Sequence, residues 1–519
     1  MDRREIKYIL CFAVLLTLSY PPFPLGFLAP IALALFIQFI SESNPREGFR
    51  LGYWLGLIWG SMTLFWIAAS TLVGSILAIS VNSLHYAFLG WIFCWLRDKS
   101  RKLVWFAFPV IWVTSEYLRL FSDLRFNWLT LAYTQTYYLP LIQIVEITGY
   151  LFISLLIVVQ AEIIYFWMKS KKLMNYQWLS LILLPVILLW IYGEIRIKQL
   201  DEKQMPVLKA GLVQPNVDPY QKWDPEFQEG AFRMLMQDSR QLALVKPDLI
   251  VWPETATPFY LRTHLTEIEE IVTFLDSQKI HLLTGTPDYQ YNADKSDVFI
   301  YNAAFFFRPG QFSFESYYKM ALVPGSETIP FKKYFPVLRK VEVGGGDFFP
   351  GDEYSLFNFK IPFRSGNYRE QHLQNNFPVI DSTFQVHLSA IICYESVFPH
   401  IVRKFIDKGA NLLTIITNDG WFGLTSGPYQ HARYAVLRAI ENRVSIIRCA
   451  NTGISGFIDP VGRVLTKADL NTHANLTAVI PIGTTKTFYT QHGEWFGIMS
   501  LIISGLSFIS LFILKYLKK

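Results

Sequence analysis

Glu254, Lys319 and Cys393 each end a run of β-prone apolar residues. Leu249-Ile250-Val251-Trp252-Pro253 leads to Glu254, residues 314–319 end on Lys319, and residues 384–392 deliver Cys393. A strand end is a rigid platform, and the loop beyond it can reach a cleft. Taken singly, an acid or a lysine at such an end is ordinarily solvated, and a cysteine is ordinarily a small buried hydrophobe. Together they are a carboxylate, an ammonium and a thiol, the set that nucleophilic acyl chemistry needs. A free thiol has a pKa of about 8.5, so at neutral pH an adjacent base must take its proton. A partly buried glutamate can serve as that base. The tetrahedral intermediate then carries an oxyanion, which a fixed ammonium and backbone N–H groups stabilise. Cys-His catalysis is a weaker reading: His387 lies in the alternating part of its strand and His400 follows Pro399. Ser-His-Asp catalysis is weaker still, since no Gly-x-Ser-x-Gly elbow occurs.

The elements that would hold these residues lie between Met205 and about Ile482, where β-rich runs alternate with helical ones. Strands are expected at 207–213, 249–252, 281–285, 298–307, 314–319, 384–392, 412–417, 444–449 and 456–459. Helices are expected at 224–245, 263–278 and 429–443, with Asp224-Pro225 and Pro428 as start signals. Strands interleaved with helices make an α/β layered domain. The interval 324–376 fits this pattern poorly. It holds Gly344-Gly345-Gly346, Phe348, Phe349 and a polar tract from 364 to 376. The aromatics favour a lid, and the tract reads as an insertion without a catalytic role.

The rest of the chain is of another kind. The 519 residues are 52% hydrophobic, and the mean hydropathy of +0.26 hides a division between long apolar runs and an ordinary water-soluble middle. Apolar runs at 8–20, 25–40, 51–69, 73–96, 103–120, 141–168, 178–193 and 495–514 give about eight membrane helices, the first two and the seventh near the short limit. A signal peptide at 8–20 is disfavoured, because Tyr20-Pro21-Pro22-Phe23-Pro24 follows in place of a cleavage site. Lys and Arg cluster at 3–7, 46–50, 97–102, 169–172 and 515–519, on alternate connections. By the positive-inside rule both termini face the cytoplasm and the soluble segment faces outward. Glu116 and Arg119 read as a mutual pair, while Glu146 and Glu162 have no evident partner in sequence. The net charge of +6 follows the membrane-flanking clusters and forms no stripe suited to nucleic acid. Four cysteines, two of them in apolar runs, make neither a disulfide framework nor a metal-ligand spacing.

The three sites resemble a known set. Trp252-Pro253-Glu254, Tyr318-Lys319 with Leu322-Val323-Pro324, and Cys393-Tyr394-Glu395 are similar to the Glu-Lys-Cys triad motifs of the nitrilase, or carbon–nitrogen hydrolase, superfamily. Such a domain between a bundle of spans and one last helix resembles the apolipoprotein N-acyltransferases of bacterial envelopes. The likeness extends through Asn127-Trp128-Leu129, Leu212-Val213-Gln214-Pro215-Asn216, Lys222-Trp223-Asp224, Asn418-Asp419-Gly420-Trp421-Phe422-Gly423, Gln430-His431-Ala432-Arg433 and Asn451-Thr452-Gly453-Ile454-Ser455.

The resemblance implies a helical membrane bundle over 1–195, a nitrilase-like α-β-β-α sandwich over 205–485 on the periplasmic side of the cytoplasmic membrane, and a last membrane helix over 494–519. It implies Glu254 as general base, Lys319 as oxyanion cation and Cys393 as nucleophile. Glu327 matches a supporting acid, Tyr394 and Glu395 the pair flanking the cysteine, and Trp223 a tryptophan near the lipid entry. Pro324-Gly325-Ser326-Glu327 departs from the family's Pro-Phe-Gly-Glu. The implied reaction moves a fatty acyl chain from a membrane phospholipid to the N-terminal amine of a diacylated apolipoprotein, in a monomer without metal or cofactor. A membrane-tethered amidase with water as acceptor, and a non-enzymatic lipoprotein-binding scaffold, are the rival readings. His431 opens a helix, where polar residues ordinarily cap or face solvent, and Asn418-Asp419 reads as structural support. Cys449 reads as inert. A Cys393–Cys449 disulfide would abolish the nucleophile, so the two are expected unpaired.

Overall fold

The computed structural model describes residues 3–170, 176–292, 294–335, 337, 348–367, 379–483 and 485–517. The chain divides into two compact units, Met1–Ile195 with His492–Lys519, and Arg196–Gln491.

The first unit is helical. Its long elements are α1 (Arg3–Ser19), α2 (Leu28–Ile40), α3 (Pro45–Leu64), α4 (Leu72–Lys99), α5 (Leu103–Leu118), α6 (Leu151–Lys169) and α7 (Tyr176–Asp201), with Trp495–Leu517 near the C-terminus. Among the described residues, α4, α6 and α7 are long and apolar enough to cross a membrane; Leu28–Ile40, Leu103–Leu118 and Trp495–Leu511 are apolar but shorter. The single span expected over 141–168 is broken. Leu139–Ile142 and Val145–Thr148 are short helices, and Gly149, at φ +71°, ends the second before α6 begins. α3 starts earlier than hydropathy indicates because Asn44 and Glu47 form a reciprocal capping box around Pro45.

Glycines at 48, 52, 56 and 60 put a smooth ridge on α3, and α4 lies directly on it. A Cβ at Gly52 would sit 2.2 Å from the Tyr86 carbonyl oxygen, and one at Gly48 2.6 Å from that of Gly90. Small residues at this spacing let two backbones touch. Gly52→Val is therefore expected to push α3 off α4 and to destabilise the bundle by about 1–3 kcal/mol. Thermal unfolding in detergent measures it, and an unchanged midpoint contradicts it. The ionisable residues are held individually. Glu116 Oε1 accepts from Trp112 Nε1 (3.2 Å) and the Leu131 N–H (3.0 Å), while Arg119 donates to Asn82 Oδ1 (3.0 Å), in place of the expected Glu116–Arg119 pair. Glu146 accepts from the Tyr192 hydroxyl at 2.9 Å, and Glu162 is buried.

The second unit carries the strands β1 (Gln204–Gln214), β2 (Leu249–Val251), β3 (His281–Tyr291), β4 (Val298–Phe307), β5 (Phe314–Tyr318), β6 (Phe357–Asn367), β7 (Val379–Ile392), β8 (Leu412–Thr417), β9 (Ile446–Ala450), β10 (Gly456–Ile458), β11 (Val464–Lys467) and β12 (Ala474–Pro481). They hydrogen-bond in the order β11-β10-β9-β8-β7-β6-β1-β2-β3-β4-β5, with β12 on β1. The β1–β6 junction is three residue pairs long and divides the path into two half-sheets. These face each other: the Cys449 thiol on β9 donates to the carbonyls of Val213 on β1 (3.3 Å) and Val251 at the end of β2 (3.4 Å).

Helices α8 (Pro225–Ala243) and α9 (Leu265–Gln278) cover the first half-sheet. Alternation along β4 explains how. Ala303, Phe305 and Phe307 pack with Phe232, Leu235 and Ile271 of those helices, and Phe306, on the other face, stacks on Phe357 of β6 at 5.2 Å. Two further helices, α10 (Pro399–Asp407) and α11 (Gly427–Asn442), belong to the second half. β6 was expected as loop. Its alternating Phe357, Phe359, Ile361 and Phe363 are strand-like, but Pro362 interrupts them and the β6–β7 register shifts there. β11, β12 and α10 are also additions to the expected elements. Gly344-Gly345-Gly346 and most of the polar tract lie outside the described residues.

Candidate active site

Glu254 lies three residues past β2, in a turn shaped by Gly285. A Cβ at Gly285 would meet the Pro253 oxygen at 2.5 Å and Glu254 Cα at 2.6 Å, so only glycine lets β3 pass so close. Thr255, next in the chain, has φ +44°. Glu254 is buried, 5% exposed; its Oε1 accepts from Asn302 Nδ2 at 2.7 Å and its Oε2 from the Asn418 N–H at 2.8 Å. Lys319 directly follows β5, anchored by its N–H to the Asn302 oxygen (2.9 Å) and by its own carbonyl to the Gly351 N–H (2.8 Å). Its ammonium is 2.8 Å from Glu327 Oε1 and 3.4 Å from Glu254 Oε1. Asn302 Nδ2 also reaches Glu327 Oε1, at 3.3 Å, and Glu327 Oε2 accepts from the Val323 N–H at 2.8 Å. The Pro324-Gly325-Ser326-Glu327 turn closes with Gly325 at φ +80°, a backbone state that suits glycine.

Cys393 follows β7 with φ +51°, an uncommon state for a residue with a Cβ. Two sets of contacts hold it. The first is Glu395, fully buried: Oε1 accepts from the Tyr317 hydroxyl (2.7 Å) and the N–H groups of Met320 (2.6 Å) and Ala321 (3.2 Å), and Oε2 from the Ile392 N–H (2.7 Å). One carboxylate thus ties the end of β7 to the chain on both sides of Lys319. The second is a buried relay. His431 Nε2 lies 3.2 Å from the Cys393 oxygen and 2.9 Å from Ser396 Oγ, its Nδ1 is 2.8 Å from Asp419 Oδ1, and Arg448 Nη2 holds Asp419 Oδ2 at 2.8 Å. His431 therefore neither caps its helix nor faces solvent. Tyr394 is buried edge-on to Phe398, with ring centroids 4.9 Å apart.

The electrostatics follow from burial and from the shared cation. Burial pulls the pKa of Lys319 down, but Glu327, Glu254 and Cys393 together push it above the ordinary lysine value, so it stays charged. Burial raises the Cys393 thiol, the Glu254 carboxylate raises it further, and Lys319 offsets only part of this. Against the cost of burial, Arg448 and His431 hold Asp419 well below the usual carboxylate range. Burial and the Glu254 charge both disfavour the thiolate, so resting Cys393 should be a neutral thiol at pH 7. Thiolate ultraviolet absorbance, read as a difference against Cys393→Ser, should be absent at neutral pH and should grow only above about 8.5, the ordinary thiol value. Full thiolate absorbance at pH 7 contradicts this.

Trp223 is 43% exposed on the turn Gln221–Trp223, and the buried Lys222 beside it reaches Thr255. The segment expected as a lid is tied down where described: the Phe348 N–H donates to the Glu327 oxygen (3.1 Å) and that of Phe349 to the Ile300 oxygen (2.8 Å). Cys393 and Cys449 are both free thiols. Among the described residues no cluster of His, Cys, Asp or Glu could hold a metal ion. Sequence reasoning missed Asn302 and Tyr317, and named Lys222 only within the Lys222-Trp223-Asp224 motif, without a role. A lone Asn within the apolar Val298–Phe307 was the available signal, since a buried amide must find partners.

The family model described as carbon-nitrogen hydrolase matches residues 209–489, and the model for the apolipoprotein N-acyltransferase N-terminal domain matches residues 12–162. The chain is 32% identical to the apolipoprotein N-acyltransferase of Geobacter metallireducens over 96% of its own length and 93% of that protein's. It is 31% identical to that of Chlorobaculum tepidum, over 95% and 93%. The chain belongs to the apolipoprotein N-acyltransferase family. Among solved structures, an amidase from Nesterenkonia sp. aligns with a TM-score of 0.36 at 17% identity, covering 55% of this chain and 92% of that one. A Saccharomyces cerevisiae member of branch 10 of the nitrilase superfamily aligns at 0.37 and 16%, covering 53% and 90%.

Proposed function

We propose that this chain N-acylates apolipoproteins, moving a fatty acyl chain from a membrane phospholipid to the N-terminal amine of the diacylglyceryl-cysteine through a thioester on Cys393. The observation that carries this reading is one ammonium shared by two carboxylates and bearing electrostatically on one thiol: Lys319 with Glu254, Glu327 and Cys393. Glu254 takes the thiol proton as sulfur attacks the ester carbonyl. The oxyanion that forms is met by Lys319, whose ammonium has three donors, two of them turned to carboxylates. Collapse breaks the ester C–O bond, Glu254 returns the proton to the departing lysophospholipid oxygen, and the acyl group remains on sulfur. In the second half the lipoprotein amine attacks the thioester, loses a proton to Glu254, and leaves as the amide while Cys393 regains its proton.

Both substrates are lipids, which gives the membrane helices a purpose. The reading takes all eight apolar segments as spans of a bacterial cytoplasmic membrane, the termini on the cytoplasmic side, the hydrolase-like unit on the outer side, and the protein as a monomer. The exposed Trp223 and Phe349 suit an acyl chain better than a small amide. Incubation of the purified protein with phospholipid should add the mass of one fatty-acyl chain, labile to hydroxylamine and absent in Cys393→Ala. The same adduct in Cys393→Ala sinks the thioester. A diacylated lipopeptide with a free amine should then discharge the adduct as amide; release of free fatty acid alone indicates a hydrolase.

A further inference from the structure

The turn that carries Glu254 is gripped from two sides, and only one grip follows from the sheet. On the β3 side, the Gly285 N–H donates to the Pro253 oxygen (3.1 Å) and the Ala256 N–H to the Gly285 oxygen (2.8 Å). On the other, Lys222 Nζ donates to the Thr255 carbonyl (3.0 Å) and to Thr255 Oγ1 (2.5 Å). Thr255 is a β-branched residue in the left-handed region, a state that persists only where its surroundings impose it. Lys222 is 3% exposed, and both of its ammonium hydrogen bonds go to neutral oxygens. A buried ammonium without a directly bonded carboxylate is rare, because desolvation disfavours it.

Its surroundings say what it connects. The ammonium lies 5.4 Å from the centroid of the Trp223 ring, and its backbone N–H is bonded to the Asp218 oxygen at 3.1 Å. Tyr220 and Trp223, on either side of it, are 63% and 43% exposed. The charged group acting on the ammonium is Glu254; on its own stretch, Asp218 Oδ1 accepts from the Tyr220 N–H at 2.8 Å and Asp224 precedes α8. We infer that Lys222 is a positioning residue for the Glu254 base: its ammonium fixes the left-handed turn at Thr255 and fastens to that turn the exposed aromatic segment 220–223. The segment best suited to meet an acyl chain and the group that must take the thiol proton are then one body. The grip depends on the ammonium, a charged donor on both Thr255 oxygens. Burial pulls Lys222 itself down to about 8, opposed by Glu254, so that charge is present at neutral pH.

The inference rests on the assignment of Glu254 as base of an acyl transfer, and its test separates the two. Wild type, Lys222→Met and Lys222→Arg are compared for the rate of acyl-enzyme formation by intact mass, against phospholipid concentration, and for thermal midpoint in detergent. Lys222→Met should lower the saturated rate by about 10²-fold, the loss that small misplacement of a reacting group produces, with little change in half-saturating lipid. Lys222→Arg should recover part of the rate, and the midpoint of Lys222→Met should be unchanged or higher. A wild-type saturated rate in Lys222→Met overturns the inference, as does a loss that only tracks loss of folded protein or a rise in half-saturating lipid at an unchanged saturated rate. Should Lys222→Met fail to fold, Thr255→Val alone and combined with Lys222→Arg takes its place: non-additive effects support the link and additive effects overturn it. If wild type gives no lipid adduct, the functional reading fails, and the same variants acylated by p-nitrophenyl acetate still decide the role of Lys222.

Discussion

Lys319→Met should slow acyl-enzyme formation by at least about 10³-fold and destabilise the catalytic unit by about 3–5 kcal/mol. The first figure is the upper range for loss of one oxyanion donor, and a second effect adds to it. Glu254 Oε1 and Glu327 Oε1 share this ammonium and the same Asn302 amide, so without it two buried carboxylates face each other with no cation between them. Their mutual repulsion then adds to the loss of the donor. The stability figure is that for removing one partner of a buried ion pair. Rapid-quench intact mass and thermal unfolding read the two effects separately. Adding Glu327→Gln to Lys319→Met should restore much of the stability by removing the surplus charge, and none of the rate. A variant that keeps a near-wild-type rate excludes Lys319 from the chemistry.

The second large effect is expected at Glu395, which does not face the substrate in the proposed reaction. Glu395→Ala strips the acceptor from the Tyr317 hydroxyl and from the N–H groups of Met320, Ala321 and Ile392. Each buried group left unpaired costs about 1–3 kcal/mol, so the loss should reach about 4 kcal/mol or more. Activity should fall with it, because Cys393 follows Ile392 directly and Lys319 lies between Tyr317 and Met320. Glu395→Gln is the informative partner. Its amide keeps one acceptor and turns the other into a donor, so it should fold with a smaller loss and still acylate slowly. Denaturation midpoints and acylation rates of both variants measure this; equal, small effects in the two would exclude the brace.

Much of the second unit was legible because its strands are short apolar runs bounded by turn formers. β4 and β8 have the bounds expected from sequence, and Glu254, Lys319 and Cys393 stand just past strands β2, β5 and β7. What was not legible depends on partners distant in sequence. Nothing near Glu395 reveals that its carboxylate is shared by Tyr317 and Met320, and nothing near His431 reveals Asp419, Arg448 and the Cys393 carbonyl around it. A polar residue at a helix start has a common local explanation, and here tertiary packing overrides it. β6 was hidden by Pro362, whose bulge suits a strand that bends. In the first unit hydropathy located the apolar segments but not the break at Gly149 or the glycine ridge of α3, which are matters of backbone contact and not of composition.

The Glu395 brace also orders events in time. Glu254 and Lys319 are supplied by the half of the unit that leaves the ribosome first, and Cys393 by the half that follows. Until the Ile392 and Tyr317 donors meet on one carboxylate, the thiol has not been set opposite the ammonium. A chain in which this brace has not formed is expected to form no acyl-enzyme. The capacity to take an acyl group is expected only once the end of β7 and the Tyr317–Ala321 stretch meet on Glu395.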